Sequence, residues 1–259
     1  MKVIVFVNPK THVFVSGLCL KHLHNIQDSV SEIIVITAGN HVKEFHEHLG
    51  FDNITYIDEQ TVCKVLELPD RRLNSYSKQF AVLHLDKFID GDTFLNIDAD
   101  VIFNKPVQFT FGHQRKFFIE LDDWKPYYST LESMCGIKRQ LDPPNSFIAD
   151  FMLFDRIYLE QLRAQSPAVA DWNYWVSVEK NNTSGNYAVS EYETYGSWLY
   201  SSHPDVMSLE KSITYDNNMK FHKFNPTQEN LNANTCIIPM RNTYDFDIDW
   251  TPIYPDWKF

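Results

Sequence analysis

Two aspartates stand two residues apart, Asp98 and Asp100, between the apolar runs Phe94-Leu95-Asn96-Ile97 and Val101-Ile102-Phe103. In an extended chain, side chains at i and i+2 point to the same side. The spacing therefore predicts two carboxylates that converge on one spot. Carboxylates that close repel each other, and one keeps its proton unless a cation lies between them. Hard oxygen donors at the end of a strand suit Mg2+ or Mn2+, with the remaining positions filled by substrate phosphates. Turn and cap chemistry is the other common use of such aspartates. A phosphohydrolase would use the same pair as nucleophile and acid/base, but no downstream Lys and Asp-Asp set follows in the order that chemistry requires.

The elements that must carry the pair are legible around it. Apolar runs predict strands at 3–7, 32–38, 54–57 and 93–97, and helical spacing predicts helices at 14–26, 41–49, 61–66 and 75–88. Ser75 is the expected cap of the last of these helices. Strand–helix alternation implies a mostly parallel sheet flanked by helices, with ligands beyond the carboxyl ends of the strands. Asp98 and Asp100 fall at one such end, and Asn8, Pro9 and Lys10 at another.

The second half reads differently. Strands are expected at 116–121 and 147–154, helices at 155–164 and 167–178, and an aromatic loop carrying Trp124, Tyr127 and Tyr128. The segment 190–200 reads as a helix capped by Ser190, with Glu193 as its capping-box partner. From Asn225 onward the chain is rich in Pro, Asn and Asp and reads as mostly irregular. No Pro/Gly/Ser linker divides the halves, so one domain is expected, with 1–110 and 111–259 as its two halves.

Composition limits the function classes. The 259 residues carry 34 acidic and 23 basic side chains, a net charge of −11, which argues against a nucleic-acid binder. A bound divalent cation would still admit an anionic substrate. Only 8 glycines speak against a Gly-rich phosphate loop. Cys19, Cys63, Cys135 and Cys236 are scattered, form no CxxC pair and read as reduced thiols without a disulfide. With no membrane-length apolar run and no secretory core at the first residues, the expected location is cytoplasmic.

The segment Asp98-Ala99-Asp100-Val101-Ile102-Phe103-Asn104-Lys105-Pro106 resembles the Asp-x-Asp motif of GT-A fold glycosyltransferases. Ser77-Lys78-Gln79-Phe80, the segment 147–156 and Ser190-Glu191-Tyr192-Glu193-Thr194-Tyr195-Gly196 are similar to segments of bacterial and viral glycosyltransferases of that fold. The likeness runs from about Met1 to Tyr200. It implies a GT-A, Rossmann-like α/β fold and transfer of a sugar from a nucleotide-diphosphate sugar to a hydroxyl of a glycan or related acceptor. It further implies Mn2+ or Mg2+ on Asp98 and Asp100, with Asn8 lining the nucleotide and Lys78 reaching the donor phosphates. Arg71 and Arg72 are weaker cations of the same kind.

The same likeness implies an acidic general base at the start of a helix facing the acceptor, which is Glu191 here, with Asp150 and Asp122 in reserve. A carboxylate so placed would deprotonate the attacking hydroxyl in an inverting displacement. A late histidine implied as third metal ligand is His222, with His203 second. Asn225 stands where the His-x-x-Gly-x-x-Lys pattern of some retaining members needs Gly, so that pattern is absent. Sugars pack their C–H faces on aromatic rings, and Trp124 in its charged loop is the ring expected to meet ligand. Trp172, Trp175, Tyr192, Tyr195 and Trp198 are mostly expected in the core. The run Asp245, Asp247, Asp249 reads as a half-exposed strand or tail. A non-catalytic carbohydrate-binding protein on the same fold is the other outcome this pattern allows.

Overall fold

The computed structural model describes residues 1–7, 13–39, 42, 54–70, 72–103, 105–122, 124–183, 187–211 and 237–239. The first half runs β1 (Lys2–Phe6), α1 (Val13–Lys21), β2 (Glu32–Thr37), β3 (Ile54–Asp58), α2 (Glu59–Val65), α3 (Ser75–Val82) and β4 (Thr93–Asp98). The second runs β5 (Val101–Phe103), β6 (Thr110–Phe111), β7 (Gln114–Leu121), α4 (Lys125–Cys135), β8 (Asn145–Ser146), β9 (Phe151–Asp155), α5 (Arg156–Gln165), α6 (Trp172–Asn181), α7 (Glu191–Ser202), β10 (Met207–Lys211) and β11 (Ile237–Pro239).

The main sheet has the order β3-β2-β1-β4-β9. Its first four strands are mutually parallel, and β9 joins β4 antiparallel. Both faces are covered, which is why β1, β2 and β4 are near-continuous apolar runs rather than alternating ones. Side-chain alternation sorts them onto two cores. Ile4, Phe6, Ile34, Ile36 and Phe94 pack with Phe80 of α3, Leu159 and Leu162 of α5, and Tyr192, Tyr195 and Trp198 of α7. Val3, Val5, Val35, Leu95 and Ile97 pack on the other face with Cys19 and Leu20 of α1 and with Phe103, Phe109 and Phe118. The first core draws on both halves of the chain. A second sheet, β10-β7-β6, lies in the second half, with β8 pairing β7. Among the described residues no helix is long and apolar enough to cross a membrane.

Several local expectations are corrected. Asn74, not Ser75, caps α3: its side chain accepts the Tyr76 and Ser77 N–H groups, and Ser77 closes the box back onto the Asn74 N–H. The helices expected at 14–26 and 75–88 each end early and pass into 3-10 turns, His22–Asn25 and Leu85–Lys87. The aromatic loop is helix α4, opened by Pro126 in its first turn and closed by Gly136 at φ 68°. The strand expected over 147–154 begins only at Phe151, because Asp150 takes a left-handed φ of 48°. Within the chain after Asn225, the described residues Ile237–Pro239 form β11, which pairs antiparallel with β5. Asn8, Arg71, His222, Asn225, the run Asp245–Asp249 and nearly all of the helix expected at 41–49 lie outside the described residues.

Candidate active site

β4 delivers Asn96 and Asp98 on one face, in register with Ile4 and Phe6 of β1. Beyond Asp98 the chain does not stay extended. Ala99 and Asp100 form a turn into β5, so a turn rather than the pitch of a strand places the second carboxylate. Both bear on the same neighbours, the Lys78 ammonium and the Cys19 thiol. The Cys19 Sγ lies 3.8 Å from the Asp98 carbonyl oxygen, and burial first, then Asp100 and Asp98, push its thiol far above the ordinary range.

Helix α3 aims Lys78 at this spot. Its Nζ donates to Asp98 Oδ1 at 2.7 Å, with 23% of the lysine side chain and 27% of the aspartate side chain exposed. Burial alone would weaken the ammonium, but Asp98, Glu191 and Asp100 outweigh it and the pKa is raised. A cation is thus already drawn to the place where the Asp-x-Asp pattern calls for one.

Helix α7 points its N-terminus at the same place. Ser190 caps it by accepting the Glu193 N–H at 3.3 Å. The reciprocal half of the expected capping box is not made. The Glu193 carboxylate instead accepts the Phe147 N–H at 3.0 Å and the Ser197 hydroxyl at 2.5 Å, tying α7 to the segment that leads into β9. Glu191, the first residue of the helix, is 4% exposed. Burial pushes its carboxyl up to about 7; Lys78 opposes this and Asp98 adds to it. A buried carboxylate near neutrality beside Lys78 and Asp98 has the properties of a general base.

Tyr192 follows directly. Its hydroxyl lies 2.7 Å from Asn96 Nδ2 and 3.3 Å from Asp98 Oδ1. The sequence pattern puts Tyr192 among core rings and gives Asn96 no role. The available signal was a polar residue inside an apolar strand, two positions before Asp98 and so on its face.

The other candidates fall elsewhere or take supporting parts. Asp150 is 4% exposed, and its carbonyl accepts the Asp98 N–H at 2.8 Å, which holds the end of β4. Asp122 accepts the Trp124 N–H at 2.9 Å, just ahead of α4. Trp124 donates its indole N–H to the Tyr187 carbonyl at 2.9 Å. Arg72 pairs at 4.0 Å with Glu59 instead of reaching Asp98. His203 caps the far end of α7, about 18 Å along the axis from Glu191, where it meets Gln161 at 2.9 Å. Trp175, Tyr195 and Trp198 are core residues, at most 1% exposed.

Asp98 and Asp100 offer hard oxygen donors, and among the described residues nothing hydrogen-bonds Asp98 Oδ2. That donor set fits Mg2+ or Mn2+ completed by water and phosphate oxygens. No group of three or more His, Cys, Asp or Glu suited to a metal occurs among the described residues.

No family profile and no curated protein matches this sequence. Solved structures do match its fold. Mouse xyloside xylosyltransferase 1 superposes with a TM-score of 0.50 at 11% identity, over 92% of this chain and 97% of that one. The galactosyltransferase LgtC, solved with donor and acceptor sugar analogs, gives 0.51 at 14% identity, over 96% and 91%. The bifunctional glycosyltransferase WbbM gives 0.52 at 11% identity, over 92% of this chain and 45% of that one. At these identities the likeness is one of fold. The mixed, mostly parallel sheet flanked by helices is that of GT-A glycosyltransferases.

Proposed function

We propose that the chain is a metal-dependent glycosyltransferase that moves a sugar from a nucleotide-diphosphate sugar to a hydroxyl of a glycan or related acceptor, with inversion. The observation that carries this reading is one cluster: Asp98 at the carboxyl end of a central parallel strand, its Oδ1 2.7 Å from Lys78, and buried Glu191 with a pKa of about 7 at the start of the facing helix. The GT-A fold supports it without specifying the sugar.

Asp98 and Asp100 would hold Mg2+ or Mn2+, which when bound supplies Lewis-acid neutralisation of the departing diphosphate. Lys78 adds a second positive charge on the donor side. Glu191 takes the proton of the acceptor hydroxyl as its oxygen attacks the anomeric carbon, and the bond from that carbon to the diphosphate oxygen breaks. One displacement of this kind inverts the anomeric centre. Asp150 serves through its carbonyl, by holding the strand end beneath Asp98, and Asn8 and His222 remain proposed for the nucleotide and for the metal.

The test is sugar transfer from a panel of uridine, guanosine and cytidine diphosphate sugars, both hexosyl and pentosyl, with Mn2+ and with chelator. Asp98→Ala is expected to abolish the metal-dependent turnover. Unchanged turnover in that variant removes the assignment, as does phosphate release without any transfer.

A further inference from the structure

Asn96 is fully buried in the middle of β4, between the apolar pair Phe94-Leu95 and Ile97. A buried side-chain amide is costly unless it is used. This one is used once, by donating Nδ2–H to the Tyr192 oxygen at 2.7 Å. That bond has a consequence for the hydroxyl. Tyr192 has a single O–H, and because Asn96 approaches as a donor, the phenol oxygen must accept and its proton points elsewhere. The acceptor within reach is Asp98 Oδ1 at 3.3 Å, the looser of two contacts on that oxygen, the other being Lys78 at 2.7 Å.

We infer that Tyr192 is a positioning residue that fixes the rotation of the Asp98 carboxylate toward the metal, and that Asn96 sets the direction of its hydrogen bond. Both donors converge on Oδ1, which leaves Oδ2 without a hydrogen bond among the described residues. Outer hydrogen bonds of this kind orient ligating groups, and their loss weakens metal binding by about 10- to 100-fold. The inference rests on the metal reading of Asp98 and Asp100 given above, and its test separates the two.

The test is Mn2+ binding to the chain without donor, followed by electron paramagnetic resonance, together with thermal melting in chelator. The parent and the variants Tyr192→Phe, Asn96→Val and the double Asn96→Val/Tyr192→Phe are compared, with Asp98→Ala as reference. Tyr192→Phe keeps the ring but orphans the Asn96 amide, so both melting temperature and Mn2+ affinity are expected to fall, the affinity about tenfold. The double variant removes both polar partners from the core, so its melting temperature should recover while its Mn2+ affinity does not. A merely structural tyrosine would recover both, and that result overturns the inference. Parent-like Mn2+ affinity in Tyr192→Phe also overturns it while leaving the metal reading intact. A parent chain that binds Mn2+ no better than Asp98→Ala overturns both.

Discussion

Glu191 is held at a cost that pH exposes. Its carboxyl rises from the ordinary 4.5 to about 7 in the folded chain. Between those values the folded state holds more protons than the unfolded one, so this residue's contribution to stability falls as pH rises through that window. Below it the neutral acid carries no penalty; above it the penalty is complete, on the order of 3 kcal/mol at 1.36 kcal/mol per pKa unit. Glu191→Gln should therefore be the more stable protein at pH 8 by up to that amount, match the parent at pH 4, and transfer no sugar. Denaturant unfolding at the two pH values checks the first two, and equal stability of parent and variant at pH 8 would show that Glu191 is not strained. Asp98 and Asp100 stand out in the sequence because two aspartates at the end of an apolar strand have few uses, whereas Lys78 and Glu191 are pointed to only by the resemblance to GT-A enzymes. Tyr192 was not, because a tyrosine inside Glu191-Tyr192-Glu193-Thr194-Tyr195 reads as a core ring, and only the fold brings its hydroxyl to β4.

Helix α7 packs Gly196 directly on the Phe147 side chain. A Cβ on Gly196 would lie 2.5 Å from Cγ of Phe147, so the helix meets that side chain closer than any Cβ allows. The Glu193 carboxylate on the Phe147 N–H locks the same contact. Gly196→Ala should destabilise the fold by roughly 1–3 kcal/mol through overpacking and, by displacing α7, lower kcat more than it raises KM. Melting and steady-state kinetics read both. At this scale the parallel strands were readable because fully buried strands are continuous apolar runs. Helix α4 was not read, although Thr130, Leu131 and Met134 share its buried face and Pro126 at the start and Gly136 at the end mark its bounds. The capping box at Ser190 misled because the partner it names, Glu193, had a better acceptor role 46 residues away along the chain.

Taken whole, the molecule is acidic at a net charge of −11, yet its proposed donor is an anion. Lys78 is already engaged by Asp98, so a nucleoside diphosphate alone meets a carboxylate-rich site and should bind poorly. With Mn2+ present the local field inverts. Uridine or guanosine diphosphate should thus leave the melting temperature unchanged in chelator and raise it in Mn2+, by the equivalent of about 2.7 kcal/mol when ligand stands at a hundred times Kd. A diphosphate that stabilises equally well without metal would contradict this arrangement of charge. The mostly parallel sheet flanked by helices followed from strand–helix alternation, and the GT-A form of it from the resemblance of the Asp-x-Asp segment. The antiparallel joining of β9 to β4 and the return of β11 to β5 did not, because pairing between distant segments leaves no local pattern.

The register of β1 against β4, with Phe6 opposite Asp98, constrains how this chain can diverge. A one-residue slip would turn Asp98 away from Lys78 and Tyr192 and carry Asn96 to the opposite layer. Loops in this protein can lengthen or shorten over generations, but a single-codon insertion or deletion within 93–98 would silence the site even in a descendant that still folds.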